Sequence, residues 1–285
     1  MRICLYWNET AGGGLSLHEL TTIISGAGHD LVREVEDASE LPSNMDDVDV
    51  VVAAGGDGTV ARAARTLAGG TVPLAILPLG TANNIAGSLG IQGDAAQLVR
   101  RWRDADVATI DIGAVDLNGR SRMFVESVGC GIVTSCIEIG RATLEKGDRD
   151  SHLSAARDLY LDTLRDLRPR HYDIVLDGER IAGEFLLVEA LNTPSIGPRV
   201  RFTADVTAAD GYLSVVVVPD SERAMLCAYL TALKNGSEAA GAFKSWRAST
   251  IEIAGADRAH VDDQVVDAGT SISLSVRPSS LRVLA

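Results

Sequence analysis

The sequence predicts two domains of different class. The first is an α/β domain with a doubly wound parallel sheet; the second is β-rich, with strands pairing antiparallel in a β-sandwich-like arrangement. Three observations point there. Over the first hundred residues, strands that are apolar on nearly every residue alternate with amphipathic helices, as a parallel sheet covered on both faces requires. From Asp106 the period drops to two, and the turn dipeptide Asn118-Gly119 sits inside a long alternating run. The chain of 285 residues also exceeds the usual single-domain size.

The elements follow in order. Residues 2–7, RICLYW, read as a strand; NETAGGG breaks it, and the amphipathic LSLHELTTIISGAG ends at Gly28. HDLVREV is a second strand, DVDVVVAAG a third and VPLAILPLG a fourth. Helices are expected at TVARAARTLAG, ANNIAGSLG and GDAAQLVRRWRD. The stretch DVATIDIGAVDLNGRSRMFVESVG then reads as one hairpin, followed by helices over 132–144 and 152–167. Two strands flank Asp177-Gly178, and further strands are expected at YLSVVVV, ASTIEIAG, AHVDD and SISLSVRP, with a helix over 223–233.

Composition limits the function. Hydrophobic residues make up 46% of the chain and charged residues 23%, an ordinary globular profile. A net charge of −13 with no Lys/Arg-rich block excludes a nucleic-acid binder and disfavours permanent docking on anionic lipid. Cys4, Cys130, Cys136 and Cys227 form no CxxC pair and the five histidines no HExxH, so buried free thiols are expected rather than zinc or disulfides. The start MRICLYWNE lacks the apolar core of a signal peptide, and no run approaches about 18 apolar residues, so a cytoplasmic location is expected.

Three glycine-bearing loops, Asn8–Gly14, Gly55–Thr59 and Pro78–Asn84, each follow a strand and precede a helix. That places them at one edge of the sheet, where open α/β sheets bind ligands. Glycines let the backbone approach phosphate oxygens, and helix N-termini add unpaired N–H donors and partial positive charge. A dinucleotide fingerprint is not supported: Gly56-Asp57-Gly58-Thr59-Val60-Ala61 fits GxGxxA, but the next strand ends in LPLGT without a carboxylate. A Walker A loop is excluded because no Gly-Lys pair occurs.

GGDGT followed by LPLGTANNIAGSLGI, with Asn8 and its following glycines, Asp210-Gly211 in TAADGYLSV and a late VDDQ, resembles the diacylglycerol kinase catalytic-domain family, in its bacterial lipid-kinase branch. That branch is similar to sphingosine and ceramide kinases and, more distantly, to NAD kinases. The resemblance implies a nucleotide-binding domain over 1–115 completed by a strand at 278–285, and a lipid-substrate domain over 116–277. It implies transfer of the ATP γ-phosphoryl group to a lipid hydroxyl of the diacylglycerol type, with Mg²⁺, in lipid metabolism and phospholipid biosynthesis. On that resemblance the nucleotide site comprises Asn8, Gly12, Gly55, Gly56, Gly58, Thr59, Gly80, Thr81 and Asn83, with Asp57 acting at the metal–phosphate region. Thr207, Asp210 and a Tyr212 carbonyl look like the family's divalent-metal site. The implied partners are ATP and a lipid alcohol at a membrane surface touched transiently, with a homodimer admitted.

The chain departs from the family at three places. Asp262-Asp263-Gln264 stands where the family has Asp-Gly-Glu, and a glutamine cannot accept the proton assigned to that glutamate. Either Asp262 or Asp263 takes over, or the base matters little, or catalysis is weakened and the chain is a regulatory nucleotide binder. Ala61 and Arg62 replace a usual Asn and Glu, and the first loop lacks Asn-Pro. An NAD-kinase-like activity is a further alternative. Arg100, Arg101 and Arg103 with Trp102 read as a solvated helix face, and His260 as an ordinary strand histidine.

Overall fold

The computed structural model describes residues 1–8, 15–41, 47–143 and 149–285. The chain forms two compact units, Met1–Ile112 with Pro278–Ala285, and Gly113–Arg277.

The first unit is α/β. Its elements are β1 (Arg2–Trp7), α1 (Leu17–Gly26), β2 (Asp30–Val35), β3 (Val50–Gly55), α2 (Asp57–Leu67), β4 (Leu74–Pro78), α3 (Asn84–Ser88) and α4 (Ala95–Arg101). The strands pair parallel in the order β4-β3-β1-β2. All six residues of β3 are buried, which is why its sequence is apolar without alternation, whereas β2 at the edge buries only Val35. Helix α1 begins with a capping box: Ser16 accepts from the Glu19 N–H, and the Glu19 carboxylate accepts from the Ser16 N–H at 2.8 Å. Ile3, Leu5, Val50, Val52 and Leu77 pack with Leu20, Ile24 and Trp102 in one core. Trp102 therefore belongs to the interior, while Arg100, Arg101 and Arg103 are exposed as expected. In the parallel register Trp7 lies beside Ala54 and Gly55 beside Pro78, so β1, β3 and β4 all end at the same sheet edge.

The second unit is antiparallel. It comprises the end of β5 (Val107–Leu117) with β6 (Arg120–Phe124), β7 (Ser127–Gly131), α5 (Ile132–Thr143), α6 (Arg149–Asp166), β8 (Arg170–Leu176) and β9 (Glu179–Leu191). There follow β10 (Leu213–Pro219), α7 (Arg223–Lys234), β11 (Ser245–Ala248), β12 (Thr250–Ala254), β13 (Arg258–Val261), β14 (Gln264–Asp267) and the start of β15 (Ser271–Leu284). Strand β9 organises the sheet: its first half pairs with β8, and its last five residues lie between β7 and β10. Its buried residues face two cores, one containing Val188 and Ala190 with Phe124 and Ile251, the other Leu187 and Leu191 with Tyr160 and Phe202.

Strands β7, β11 and β14 carry too weak a local pattern to be expected from the sequence. The first is glycine-rich and follows β6 after two residues; the other two have four residues each, too few alternations to register. Cys4, Cys130 and Cys136 are buried free thiols, whereas Cys227 on α7 is exposed, contrary to the expectation of four buried ones. No helix among the described residues is long and apolar enough to cross a membrane.

The chain passes between the units twice, within β5 and within β15. Strand β15 pairs antiparallel with β12 over Ser271–Ser275, then turns through Ser279 at φ 50° and ends parallel to β4, with Val283 beside Leu74. The buried Asp111 carboxylate accepts the Ser279 N–H at 2.8 Å and fixes that turn.

The Asp177-Gly178 turn between β8 and β9 is clasped in a similar way. The Asp177 carboxylate accepts the Ser249 and Thr250 N–H groups and both hydroxyls, and these bonds hold it at a pKa of about 2. A depressed carboxylate stabilises the fold above its unfolded pKa, and that contribution is lost as pH falls from about 4 to about 2. Asp177→Asn keeps the turn conformation but loses the charged acceptor. It is expected to lower Tm by about 2–4 °C at pH 7 and to leave no difference from the unsubstituted chain near pH 2, as read by thermal melts across that range.

Candidate active site

At the shared edge of β1, β3 and β4, two glycine loops meet backbone to backbone. Gly80 and Gly56 are so close that a Cβ built on Gly80 would overlap the Gly56 Cα, and one on Gly56 would lie 3.2 Å from the Gly80 Cα. A Cβ on Gly55 would come within 2.6 Å of the Thr59 side chain. None of Gly55, Gly56, Gly58 and Gly80 has a positive φ. Gly55, Gly56 and Gly80 are therefore required for close approach and not for left-handed backbone.

The second loop is shaped by Asn83, which sits at φ 54°. Its side chain accepts the Gly80 N–H at 2.9 Å and donates to the carbonyls of Pro78 at 3.0 Å and Gly80 at 2.9 Å. Leu79 N–H donates to the Gly55 carbonyl, joining this loop to the end of β3. Asp57, the first residue of α2, accepts the Ile85 N–H through Oδ1 at 2.9 Å, so its carboxylate caps α3. Helix α2 itself has Gly56 as N-cap, with no side chain to satisfy its first N–H groups. An eleven-residue helix thus presents its positive end where both glycine loops converge.

Of the residues the resemblance assigns to the nucleotide, Gly55, Gly56, Gly58, Thr59, Gly80, Thr81 and Asn83 are gathered here. Thr59 is buried, and Asn83 uses its side chain within the loop. Asn8 is half-buried just beyond β1; Gly12 lies outside the described residues. Arg62, one turn along α2, donates to the Tyr6 hydroxyl at 3.0 Å.

In the second unit, Asp262 and Asp263 form the β13–β14 turn and Gln264 opens β14. Asp262 is buried at φ 51°, and its carboxylate accepts the N–H groups of Val125 and Glu126, the latter at 2.8 Å. Asn192 reinforces the same segment: its side chain donates to the Val125 carbonyl and its backbone N–H to the Glu126 carbonyl. Glu126, 7% exposed, is thus held on a backbone fixed from both sides. Asp263 and Gln264 are exposed, and Arg141 donates to the Asp263 carbonyl at 2.6 Å. Sequence reasoning missed Glu126. The only signal was a charge interrupting the apolar run MFVESVG, and its partner is 136 residues away.

His260 does not pair with Asp262. It is fully buried, 3.0 Å from the equally buried Glu189 carboxylate and 3.0 Å from the Thr134 hydroxyl, with the Ser127 hydroxyl at 3.3 Å. Gly129 on β7 leaves room for the Glu189 carboxylate, which a Cβ there would strike. It is an internal polar network rather than an ordinary strand histidine.

Thr207, Asp210 and Tyr212 lie in the segment before β10. Thr207 and Tyr212 are exposed, and Asp210 accepts the Tyr212 N–H at 3.1 Å and the Arg247 guanidinium at 2.6 Å. Among the described residues, no group of three or more His, Cys, Asp or Glu side chains is placed to hold a metal.

The family model of the diacylglycerol kinase catalytic domain matches residues 2–115, and that of the YegS C-terminal NAD kinase beta sandwich-like domain matches residues 152–285. Together they leave only Met1 and residues 116–151 unmatched. A diacylglycerol kinase of Mycobacterium tuberculosis is 28% identical over 243 residues, covering 82% of this chain and 74% of its own. A crystal structure of a diacylglycerol kinase from Bacillus anthracis superposes with a TM-score of 0.75 at 20% identity, covering 99% of this chain and 96% of that one. An NAD kinase from Archaeoglobus fulgidus in complex with ATP gives 0.54 at 10% identity, covering 100% and 94%. At these identities the two structures speak for the fold alone.

Proposed function

Because the chain belongs to the diacylglycerol kinase catalytic-domain family of lipid kinases, we propose that it transfers the γ-phosphoryl group of ATP to the hydroxyl of a diacylglycerol-type lipid alcohol. The observation that carries this reading is the backbone contact of Gly56 with Gly80 at the uncapped start of α2. Two loops that meet through glycines at the start of a helix are suited to phosphate oxygens.

In this reading the first unit holds the nucleotide through N–H groups at Gly56 and Gly58, with Thr59, whose N–H bonds the Gly56 carbonyl, and with Asn8, Thr81 and Asn83 shaping the rest of the pocket. Among the described residues there is no preformed carboxylate cage, so Mg²⁺ would be held chiefly by the phosphates and its own waters. When bound, it would spread the charge of the transferring group, and Asp57 is the carboxylate at the start of α2. The transfer needs a carboxylate to take the proton of the lipid hydroxyl. Gln264 lacks the chemistry, Asp263 is exposed beside Arg141, and both carboxylate oxygens of Asp262 contact backbone N–H groups. Glu126 is the carboxylate that Asp262 aligns, and we assign the proton to it. Access to lipid requires transient contact with a membrane surface, local enough to tolerate the acidic whole.

The test is phosphoryl transfer from γ-labelled ATP to a panel of diacylglycerol, phosphatidylglycerol, sphingoid base and NAD. Labelled lipid is expected; labelled NADP alone would replace the lipid reading, and ATP binding without any transfer would favour a regulatory nucleotide binder. Asp57→Asn retains an oxygen for the Ile85 N–H, so folding should survive while turnover falls more than about tenfold. Unchanged turnover in a folded Asp57→Asn protein would remove this loop from the reaction.

A further inference from the structure

Asp210 is the one carboxylate in the set Thr207, Asp210 and Tyr212, and it is already neutralised. Its Oδ2 accepts from the Arg247 guanidinium at 2.6 Å while Oδ1 accepts the Tyr212 N–H at 3.1 Å. The same guanidinium lies over the Tyr212 ring, 4.6 Å from its centroid. The arrangement is set by the sheet, because Arg247 on β11 pairs with Ser214 on β10, two residues beyond Tyr212. A planar fork that bonds a carboxylate and stacks on an aromatic ring has the geometry that favours arginine over a hydrated point charge.

A divalent ion bound to Asp210 would sit about 2 Å from an oxygen that the guanidinium already bonds. It would bring two positive charges next to a third, with a single negative charge to share. The remaining donors are neutral: the exposed Thr207 hydroxyl and a carbonyl at Tyr212. These residues do not fit the divalent-metal site that the resemblance implies.

We infer that Arg247 is the resident cation of this loop: it takes the place of a divalent metal at Asp210 and makes the fold of the second unit independent of Mg²⁺. The inference rests on the Asp210–Arg247–Tyr212 geometry alone, and it stands or falls independently of the kinase reading.

Thermal melts of nucleotide-free protein test it without any activity measurement. Mg²⁺ and Mn²⁺ at millimolar concentration, against EDTA, should move the Tm of the unsubstituted chain no more than that of Asp210→Asn, any common shift being screening of the acidic surface. Arg247→Met, which keeps stem length but removes the charge and the fork, should lower Tm by about 2–4 °C. A divalent-dependent rise present in the unsubstituted chain and lost in Asp210→Asn would overturn the inference, as would an Arg247→Met protein as stable as its parent. If Asp210→Asn fails to fold, the exposed Thr207→Val replaces it in the same comparison, with the same outcomes.

Discussion

Glu126→Gln is expected to lower lipid phosphorylation by about 10²–10⁴-fold, the range lost with a positioned general base, while ATP affinity stays within about twofold. The amide is nearly isosteric, and the segment's own backbone bonds to Asp262 and Asn192 do not depend on the Glu126 side chain. The substitution therefore separates proton chemistry from folding. The effect should fall on kcat rather than on KM, because an interaction made only in the transition state is lost. Gln264→Glu should change turnover little, since that position is exposed on β14. A strong gain in Gln264→Glu, with Glu126→Gln near normal, would return the base to the turn itself. Asp262→Asn should fall between the two: it disturbs the N–H groups that align Glu126 without removing the acceptor.

Gly80→Ala is expected to abolish nucleotide binding and to lower Tm by several degrees. The added methyl meets the Gly56 Cα, not the end of a flexible side chain, so the backbone of one loop must move. Overpacking of this kind costs about 1–3 kcal/mol. The displacement falls where α2 begins, so it also turns the first N–H groups away from a common focus. Gly87→Ala is the control, since a Cβ there meets nothing within 4 Å on a helix of the same unit. Titration with a fluorescent ATP analogue and a melt of each protein decide the matter. Normal affinity in Gly80→Ala would mean that the loops do not meet as described.

What could be read in the sequence was what is local. The parallel and antiparallel halves were legible because burial on both faces leaves β3 with no polar residue, whereas the later strands alternate around Asn118-Gly119 and Asp177-Gly178. The glycine loops stood out because they end apolar runs abruptly. The reasons for particular residues are not local. Gly80 is glycine because of Gly56, Glu126 is set by Asp262, and Arg247 meets Asp210 only through the β10–β11 register. Asp262 illustrates the difficulty. In sequence it was a candidate base at the expected place; in the fold its carboxylate supports the backbone of another candidate, a role that composition and spacing do not reveal.

The return of β15 has a consequence for the order in which the protein can be made. The stretch Pro278–Ala285 leaves the ribosome after every residue of the second unit, yet it belongs to the first. It lies against β4 through Val283, and bonds from Gly69 to Ser280 and from Arg282 to Thr71 secure it. The usual vectorial sequence, in which an N-terminal domain completes itself while the rest is still being translated, is thus closed to this chain. Until translation passes Ala285, the glycine loops stand on a sheet whose β4 edge is still uncovered, and the nascent first unit must wait for the one that follows it.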